Sequence, residues 1–320
     1  MGALRFASMD SPLTSLHHVT ATVDAAQPDV DFYSRSLGLR LVKKTVNFDN
    51  HYVYHFYYGN EHGTPSTIMT TFPYHGWGVP VGTKGAGQIR ATSFSVPRAA
   101  LGFWRQRLEE LGKAPRPALS PFKEPVLTVT DPAGLILELV GTEGDTRTPR
   151  VTDAVGSAQA IRGLHSVTLE IRDPARTIGF VKDLLGFRVI NEGPGRTRLA
   201  VGTGGPGAVI DVLNAPDAPA AVNGLGTVHH VAFAIADAEE QLKIRAELVR
   251  QGVQVTEVRD RQYFRSIYFR EPGGVLFEIA TVPPGFTVDE TLSCLGQDLK
   301  LPPWEEPHRA TIETKLPALT

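Results

Sequence analysis

The sequence predicts an α+β fold built from four βαβββ units in two tandem domains. Three observations predict it. A strand-like phrase followed by a glycine-closed helix recurs along the chain, and self-similarity at such a period marks a repeat architecture. The helix-to-strand corner Ser36-Leu37-Gly38-Leu39 returns as Leu184-Leu185-Gly186-Phe187. The turn Asp131-Pro132-Ala133-Gly134 returns as Glu271-Pro272-Gly273-Gly274, each time before a last apolar strand. A chain of 320 residues also has ample core for two domains. The expected division is residues 13–145, residues 160–283 and a tail over residues 284–320.

Residues 1–12 read as a loose arm. In unit one, Leu16 to Val23 reads as a strand by its apolar alternation, and Asp29 to Leu37 as a helix stopped by Gly38. Strands follow at Leu39 to Val46, Tyr52 to Tyr58 and Ser66 to Thr71. Pro73 to Gly87 is rich in Gly and Pro and reads as a loop. Unit two has a strand at Arg90 to Val96, a helix at Leu101 to Leu111 ending at Gly112, and a last strand at Leu135 to Leu139. Trp104 lies in that helix and reads as core. Gly141 to Gln159 is the polar linker. Unit three starts at Leu164 to Leu169, has a helix running to Leu185, and ends near Val209 to Val212. Unit four starts at Val228 to Phe233, has a helix from Ala238 to Gln251 stopped by Gly252, and ends at Val275 to Glu278. Beyond Pro283 a Pro-rich polar tail is expected to pack over the surface.

Composition excludes several classes. Hydrophobic residues make up 42%, and the net charge is −2, so neither nucleic acid nor an anionic membrane is a natural partner. No stretch reaches the roughly 18 apolar residues of a membrane span. Cys294 is the single cysteine, which excludes an internal disulfide framework and suits a reducing cytoplasm. It reads as a plain thiol. The opening Met1-Gly2-Ala3-Leu4-Arg5-Phe6 lacks the apolar run of a secretory signal, and Phe6 spoils a myristoylation pattern.

The chemistry centres on Leu225 to Ala280. Strand alternation sends His229 and His230 to opposite faces. His229 shares a core face with Val231, Phe233 and Ile235. His230 shares the other with Ala232 and Ala234, which leave room above a sheet. Glu278 sits in an apolar strand, and burying a carboxylate is costly unless something cationic pairs it. His230 and Glu278 are thus two parts of a metal site.

The repeat resembles the vicinal oxygen chelate superfamily, also called the glyoxalase/bleomycin-resistance/dioxygenase fold. The resemblance implies a cup closed by two units around one metal, with ligands from the first and last strands. Aligning the first strands puts His18, Ala91, Ser166 and His230 at one position, and His17, His165 and His229 beside it. Pairing units one and two yields only His18 and Glu138. Pairing three and four yields Asp211, His230 and Glu278, a less familiar set. Pairing one and four yields His18, His230 and Glu278, the two-histidine, one-carboxylate triad that leaves open positions and suits Fe(II) oxygen chemistry. Unit one is then expected beside unit four, with units two and three forming a second cup. His165 falls on the core-facing position and reads as a packing histidine. Glu138 and Asp211 read as carboxylates held by a hydrogen bond or an arginine. His51, His55, His62 and His75 have no role, although one of them lining the cup is left open.

A narrower resemblance follows from Ser15-Leu16-His17-His18-Val19-Thr20, Val228-His229-His230, Tyr263-Phe264-Arg265-Ser266, Pro272 to Glu278 and Leu295 to Lys300. These phrases resemble ring-cleaving dioxygenases acting on hydroquinones and chlorohydroquinones, over nearly the whole chain. The resemblance implies Fe(II) held by His18, His230 and Glu278, with His17, Thr20, His229, Arg261 and Tyr268 around the site. It implies an extradiol-type reaction of a small aromatic substrate with O2, better on para-hydroquinone than on catechol. A homo-oligomer stays open. Two other readings are kept. A glyoxalase-like isomerase or lyase would want a fourth protein ligand where unit one offers Thr70, and a non-catalytic binding or resistance protein would not need the triad.

Overall fold

The computed structural model describes residues 11–320, so the expected arm over residues 1–12 lies outside them except at its end. Unit one comprises β1 (Leu13–Val23), α1 (Ala26–Val30), β2 (Arg40–Asn47), β3 (Asn50–Gly59) and β4 (Ile68–Pro73). Unit two comprises β5 (Gln88–Pro97), α2 (Leu101–Glu110), β6 (Arg116–Leu119), β7 (Pro125–Thr130) and β8 (Ile136–Thr142). Unit three comprises β9 (Gly163–Ile171), α3 (Pro174–Leu185), β10 (Arg188–Gly193), β11 (Arg196–Ala200) and β12 (Val209–Asn214). Unit four comprises β13 (Thr227–Ile235), α4 (Ala238–Arg250), β14 (Arg259–Asp260), β15 (Arg265–Arg270) and β16 (Leu276–Thr281). Four repeats of strand, helix and three strands are therefore present, as expected.

Two boundaries differ for local reasons. The first helix begins at Ala26 and winds wider over Asp31–Ser36, where Leu37 N–H donates to Phe32 O, five residues back, at 3.0 Å. Strand β4 begins after Ser66, whose φ of 64° is left-handed and interrupts an extended run.

The strands form two eight-stranded sheets. One runs β14-β15-β16-β13-β1-β4-β3-β2 and joins units four and one. The other runs β10-β11-β12-β9-β5-β8-β7-β6 and joins units three and two. Within each unit the first and last strands pair in parallel. The first strands of paired units meet antiparallel, as β1·β13 and β5·β9. Unit one thus lies beside unit four, and each sheet takes one unit from each half of the chain.

The repeated turns have a common cause. Asp131 accepts the backbone N–H of Leu135 at 2.8 Å, and Glu271 accepts that of Val275 at 2.8 Å. Each carboxyl therefore closes its own turn and then reaches a helix of the preceding unit. Tyr33 donates to Asp131 at 3.2 Å, and Thr177 donates to Glu271 at 2.6 Å.

The tail does more than cover the surface. Phe286 is buried with its ring 5.1 Å from that of Tyr57 and 5.2 Å from that of Tyr263. Lys43 of β2, fully buried, pairs with Asp289 at 2.5 Å and with Glu290. A lone buried ammonium would be very costly, so these tail carboxylates make its position tolerable. Helix α5 (Arg309–Lys315) buries Ile312 in the main core. Among the described residues, no helix is long and apolar enough to cross a membrane.

Candidate metal centre

His18 enters from β1, His230 from β13 and Glu278 from β16, three neighbouring strands of one sheet. All three side chains are buried, Glu278 completely. His230 Nε2 lies 2.8 Å from Glu278 Oε2, His18 Nε2 lies 3.3 Å from it, and the two imidazole nitrogens are 3.4 Å apart. Donors about 2.1 Å from a common ion lie about 3.0 Å apart when cis in an octahedron and about 3.4 Å apart in a tetrahedron. The observed triangle spans that range. Although His230 is close, Glu278 Oε2 makes no aligned hydrogen bond among the described residues, so the buried anionic oxygen points at the shared centre. Among the described residues, this is the one group of three such side chains whose ligand atoms converge. The residues fit a divalent ion.

Electrostatics agree with an anionic carboxylate at the centre. Burial works to raise the Glu278 carboxyl, but His18 and His230 against it hold it well below the usual carboxylate range. Burial lowers His230, with Glu278 opposing. Ser266 of β15 donates to Glu278 Oε1 and fixes the carboxylate from the side away from the histidines. Ser266 carries no local signal in the sequence, because nothing nearby ties it to a residue twelve positions on.

One expectation about direction is corrected. Simple alternation put His17 and His229 on the core face. In the β1·β13 ladder, Leu16 pairs with Phe233 and His18 with Ala232, leaving His17 unpaired. Thr20 pairs with His230 and Ala21 with Val228, leaving His229 unpaired. A bulge inserts one residue and re-aims its side chain. His17 Nδ1 therefore sits 2.9 Å from His18 Nδ1, and His229 Nδ1 sits 2.7 Å from His230 Nδ1. Each bulged histidine holds the far nitrogen of a candidate ligand, which leaves Nε2 for the centre. Burial first, then the adjacent ligand histidine, lowers both His17 and His229 to about 3.

The cavity above the triad is about 360 Å³. His229, Arg261 and Tyr268 line it, together with Tyr57, Phe72 and Phe264. Arg261 Nε donates to the Tyr268 oxygen at 3.0 Å, and Arg261 Nη2 donates to Asp49 at 3.0 Å. Burial works against the Arg261 charge, but Tyr268 and Asp49 raise its pKa and keep it a cation. Burial, then Glu278, raises the Tyr268 phenol, so it keeps its proton. Thr20 does not line the cavity; it is fully buried and accepts a hydrogen bond from Thr70 at 2.8 Å. The Thr70 hydroxyl proton is thus committed to Thr20, and Thr70 is not among the residues lining the cavity. Asp49, at the β2–β3 turn, escaped sequence reading because its partner lies in another unit.

The other sheet treats its residues differently. His165 is also bulged, since Ser93 pairs with Ser166 and Phe94 with Leu164. Its Nδ1 lies 3.0 Å from Ser166 Oγ and its Nε2 lies 3.4 Å from Glu124. Arg198 binds both oxygens of Asp211, at 2.7 and 2.9 Å, and Ser93 donates to Glu138 at 2.6 Å. The expected core-facing position of His165 is therefore corrected as for His17 and His229, its nitrogens meeting Ser166 and Glu124; the two carboxylates are held by an arginine and a hydroxyl, as the sequence suggested. His51, His62 and His75 do not line the cavity, whereas His55 does.

Comparison with known proteins places the architecture. Residues 163–279 match the model of the glyoxalase/bleomycin resistance protein/dioxygenase superfamily. The Bacillus subtilis protein MhqE, a ring-cleaving dioxygenase by provisional assignment, is 43% identical over 304 residues, covering 95% of this chain and 98% of its own. The chlorohydroquinone/hydroquinone 1,2-dioxygenase of Sphingobium indicum is 36% identical over 296 residues, covering 90% and 91%. A Bacillus subtilis crystal structure, provisionally described as a dioxygenase, superposes with a TM-score of 0.92 at 40% identity, covering 97% of this chain and 99% of that one. Glyoxalase I from Zea mays superposes with a TM-score of 0.61 at 16% identity, covering 83% and 92%, and shares the fold alone.

Proposed function

The chain belongs to the glyoxalase/bleomycin resistance protein/dioxygenase superfamily, and from that premise we propose that it is an Fe(II)-dependent, extradiol-type ring-cleaving dioxygenase. The proposed substrate is a hydroquinone-like aromatic, with or without chlorine. The observation that carries the reading is the triangle of His18, His230 and Glu278 at the base of a cavity with aromatic walls. Two imidazoles and one carboxylate leave coordination positions open, the arrangement suited to Fe(II) oxygen chemistry. The chlorohydroquinone/hydroquinone 1,2-dioxygenase similarity supports the substrate class.

When bound, Fe(II) would supply a Lewis acid and redox centre at which a phenolic oxygen and O2 are held side by side. The protein's own residues do the rest. His230 Nδ1 faces His229 Nδ1, so a ligating His230 gives its proton to that contact, and neutral His229 keeps its own proton on Nε2. His229 then offers a donor into the cavity. His17 holds His18 Nδ1 in the same way but does not line the cavity, so it orients the ligand without offering a donor to substrate. Tyr268, protonated and fixed by Arg261, offers a second donor to oxygen near the ligands. Arg261 supplies the positive charge that stabilises a deprotonated phenol. Phe72, Phe264 and Tyr57 hold the ring and exclude water.

The test is anaerobic purification with metal analysis, then oxygen uptake with hydroquinone and catechol. The reading expects iron to restore activity and hydroquinone to turn over faster. Zinc- or nickel-dependent isomerisation with no oxygen uptake would replace it by a glyoxalase-like activity.

A further inference from the structure

We propose that His55 is a specificity-determining residue that accepts a hydrogen bond from a substrate hydroxyl remote from the metal ligands. This rests on the dioxygenase reading above. His55 lies on β3, is buried, and lines the cavity above the triad. Its Nε2 is 3.0 Å from Thr70 Oγ1, and Thr70 Oγ1 donates to Thr20 Oγ1 at 2.8 Å. A threonine hydroxyl has one proton. With that proton committed to Thr20, Thr70 offers His55 only a lone pair. Nε2 must therefore carry the imidazole proton, and Nδ1 is left as an acceptor. Nδ1 makes no hydrogen bond among the described residues. The ring is held by Tyr57 and Phe72, with centroids 4.1 and 4.3 Å away, so it cannot turn freely to exchange its nitrogens.

Two other polar groups of the wall, Asn47 and Asp49, are already engaged. Asn47 donates to Tyr74 and accepts from the backbone of Asp49, and Asp49 receives both Arg259 and Arg261. His55 Nδ1 is a neutral acceptor with a fixed tautomer and no partner among the described residues. Its complement is a hydroxyl on the substrate. A catechol presents adjacent oxygens, both of which reach the metal side. A para-dihydroxybenzene carries its second hydroxyl across the ring, where a buried donor without a partner would be costly. His55 therefore selects the chemical class: a phenol with a second, non-adjacent hydroxyl.

The experiment is anaerobic calorimetry of hydroquinone and 4-methylphenol, the latter of similar shape but without the distal donor. Both are titrated into wild type and His55→Phe, metal-free and Fe(II)-loaded, with oxygen uptake measured in parallel. Wild type should bind hydroquinone more tightly than 4-methylphenol. His55→Phe should lose about tenfold in hydroquinone affinity, the worth of one hydrogen bond, and nothing for 4-methylphenol. His55→Asn, which restores an acceptor oxygen, should recover part of the difference. Unchanged discrimination in His55→Phe, or an equal loss for both phenols in variants that keep their iron, would overturn the proposal. Wild type consuming oxygen with no phenol sinks the dioxygenase reading instead, and the binding ratio still reports on His55.

Discussion

The sheet joining units one and four and the sheet joining units three and two run in the same strand order, yet a cavity opens above the triad of the first, while Arg198 lies over Asp211 in the second. The pairing registers give position-for-position equivalents. His18 corresponds to Ser166, His230 to Ala91, Glu278 to Glu138 and Thr70 to Asp211. Tyr57 corresponds to Arg198, because each faces the same rung, Thr70 or Asp211. In the second sheet the Arg198 guanidinium neutralises Asp211, reaches Glu124 at 2.7 Å and stacks 4.2 Å from the Phe122 ring. A protein cation thus does there what an ion would do in the first sheet. Burial works to raise Glu124, yet His165 and Arg198 lower it to about 2. The backbone provides two equivalent cups; a handful of side chains decides which can hold a metal.

The largest expected effect separates the cups by chemistry. Glu278→Ala should cut activity by at least about 100-fold and abolish metal binding, while circular dichroism stays native. Asp211→Ala should leave metal content and oxygen uptake near wild type. It should instead lower unfolding stability by about 1–3 kcal/mol, because the buried Arg198 loses two hydrogen bonds and keeps only Glu124 as a counter-charge. Denaturant melts of both variants, beside iron analysis, check the pair. If Asp211→Ala loses iron, the two cups are not independent.

A smaller effect is expected inside the first cup. Tyr268→Phe removes the donor that Arg261 fixes, and its equivalent in the second sheet is Thr128, opposite Glu138. Turnover should fall about 10-fold or more with little change in KM, since the donor acts on the oxygenated state rather than on binding. Steady-state oxygen uptake with hydroquinone decides; unimpaired turnover would remove Tyr268 from the chemistry.

The smallest effect compares the two helix-to-turn seams. Asp29 lies as far before Gly38 as Thr177 lies before Gly186, so a carboxyl in one seam faces a hydroxyl in the other. Burial raises Asp29 from 3.8 to about 7, against hydrogen bonds from Thr71 and Tyr58. A raised folded value means that folding favours the protonated form. The stabilising contribution is complete below the unfolded value, near pH 4, and is lost as pH rises through about 7. Asp29→Asn should flatten the decline in stability across that window, whereas Thr177→Val should not. Melts at several pH values between about 4 and 8 check it.

Much of this was legible in the chain. Gly-closed helices and acid-headed turns mark the units because both are local: each depends on residues a few positions apart. The triad followed from treating the units as copies and asking which pairing gathers three ligands. His17 and His229 were misdirected because a bulge is a property of two paired strands, and alternation within one strand cannot reveal it. His55, Asp49 and Ser266 were missed or left without a role for a related reason. Their partners come from other strands or other units, and their types are unremarkable where they stand. Lys43 gave no hint of full burial, since its counter-charges lie in the tail.

The two cups differ most sharply if one holds an ion through His18, His230 and Glu278 and the other holds none, as we propose. That difference is tested most directly by iron stoichiometry after anaerobic Fe(II) loading of wild type, Glu278→Ala and Asp211→Ala. Wild type and Asp211→Ala should each hold one iron per chain, and Glu278→Ala none. Two irons in wild type, or one retained by Glu278→Ala, would contradict it.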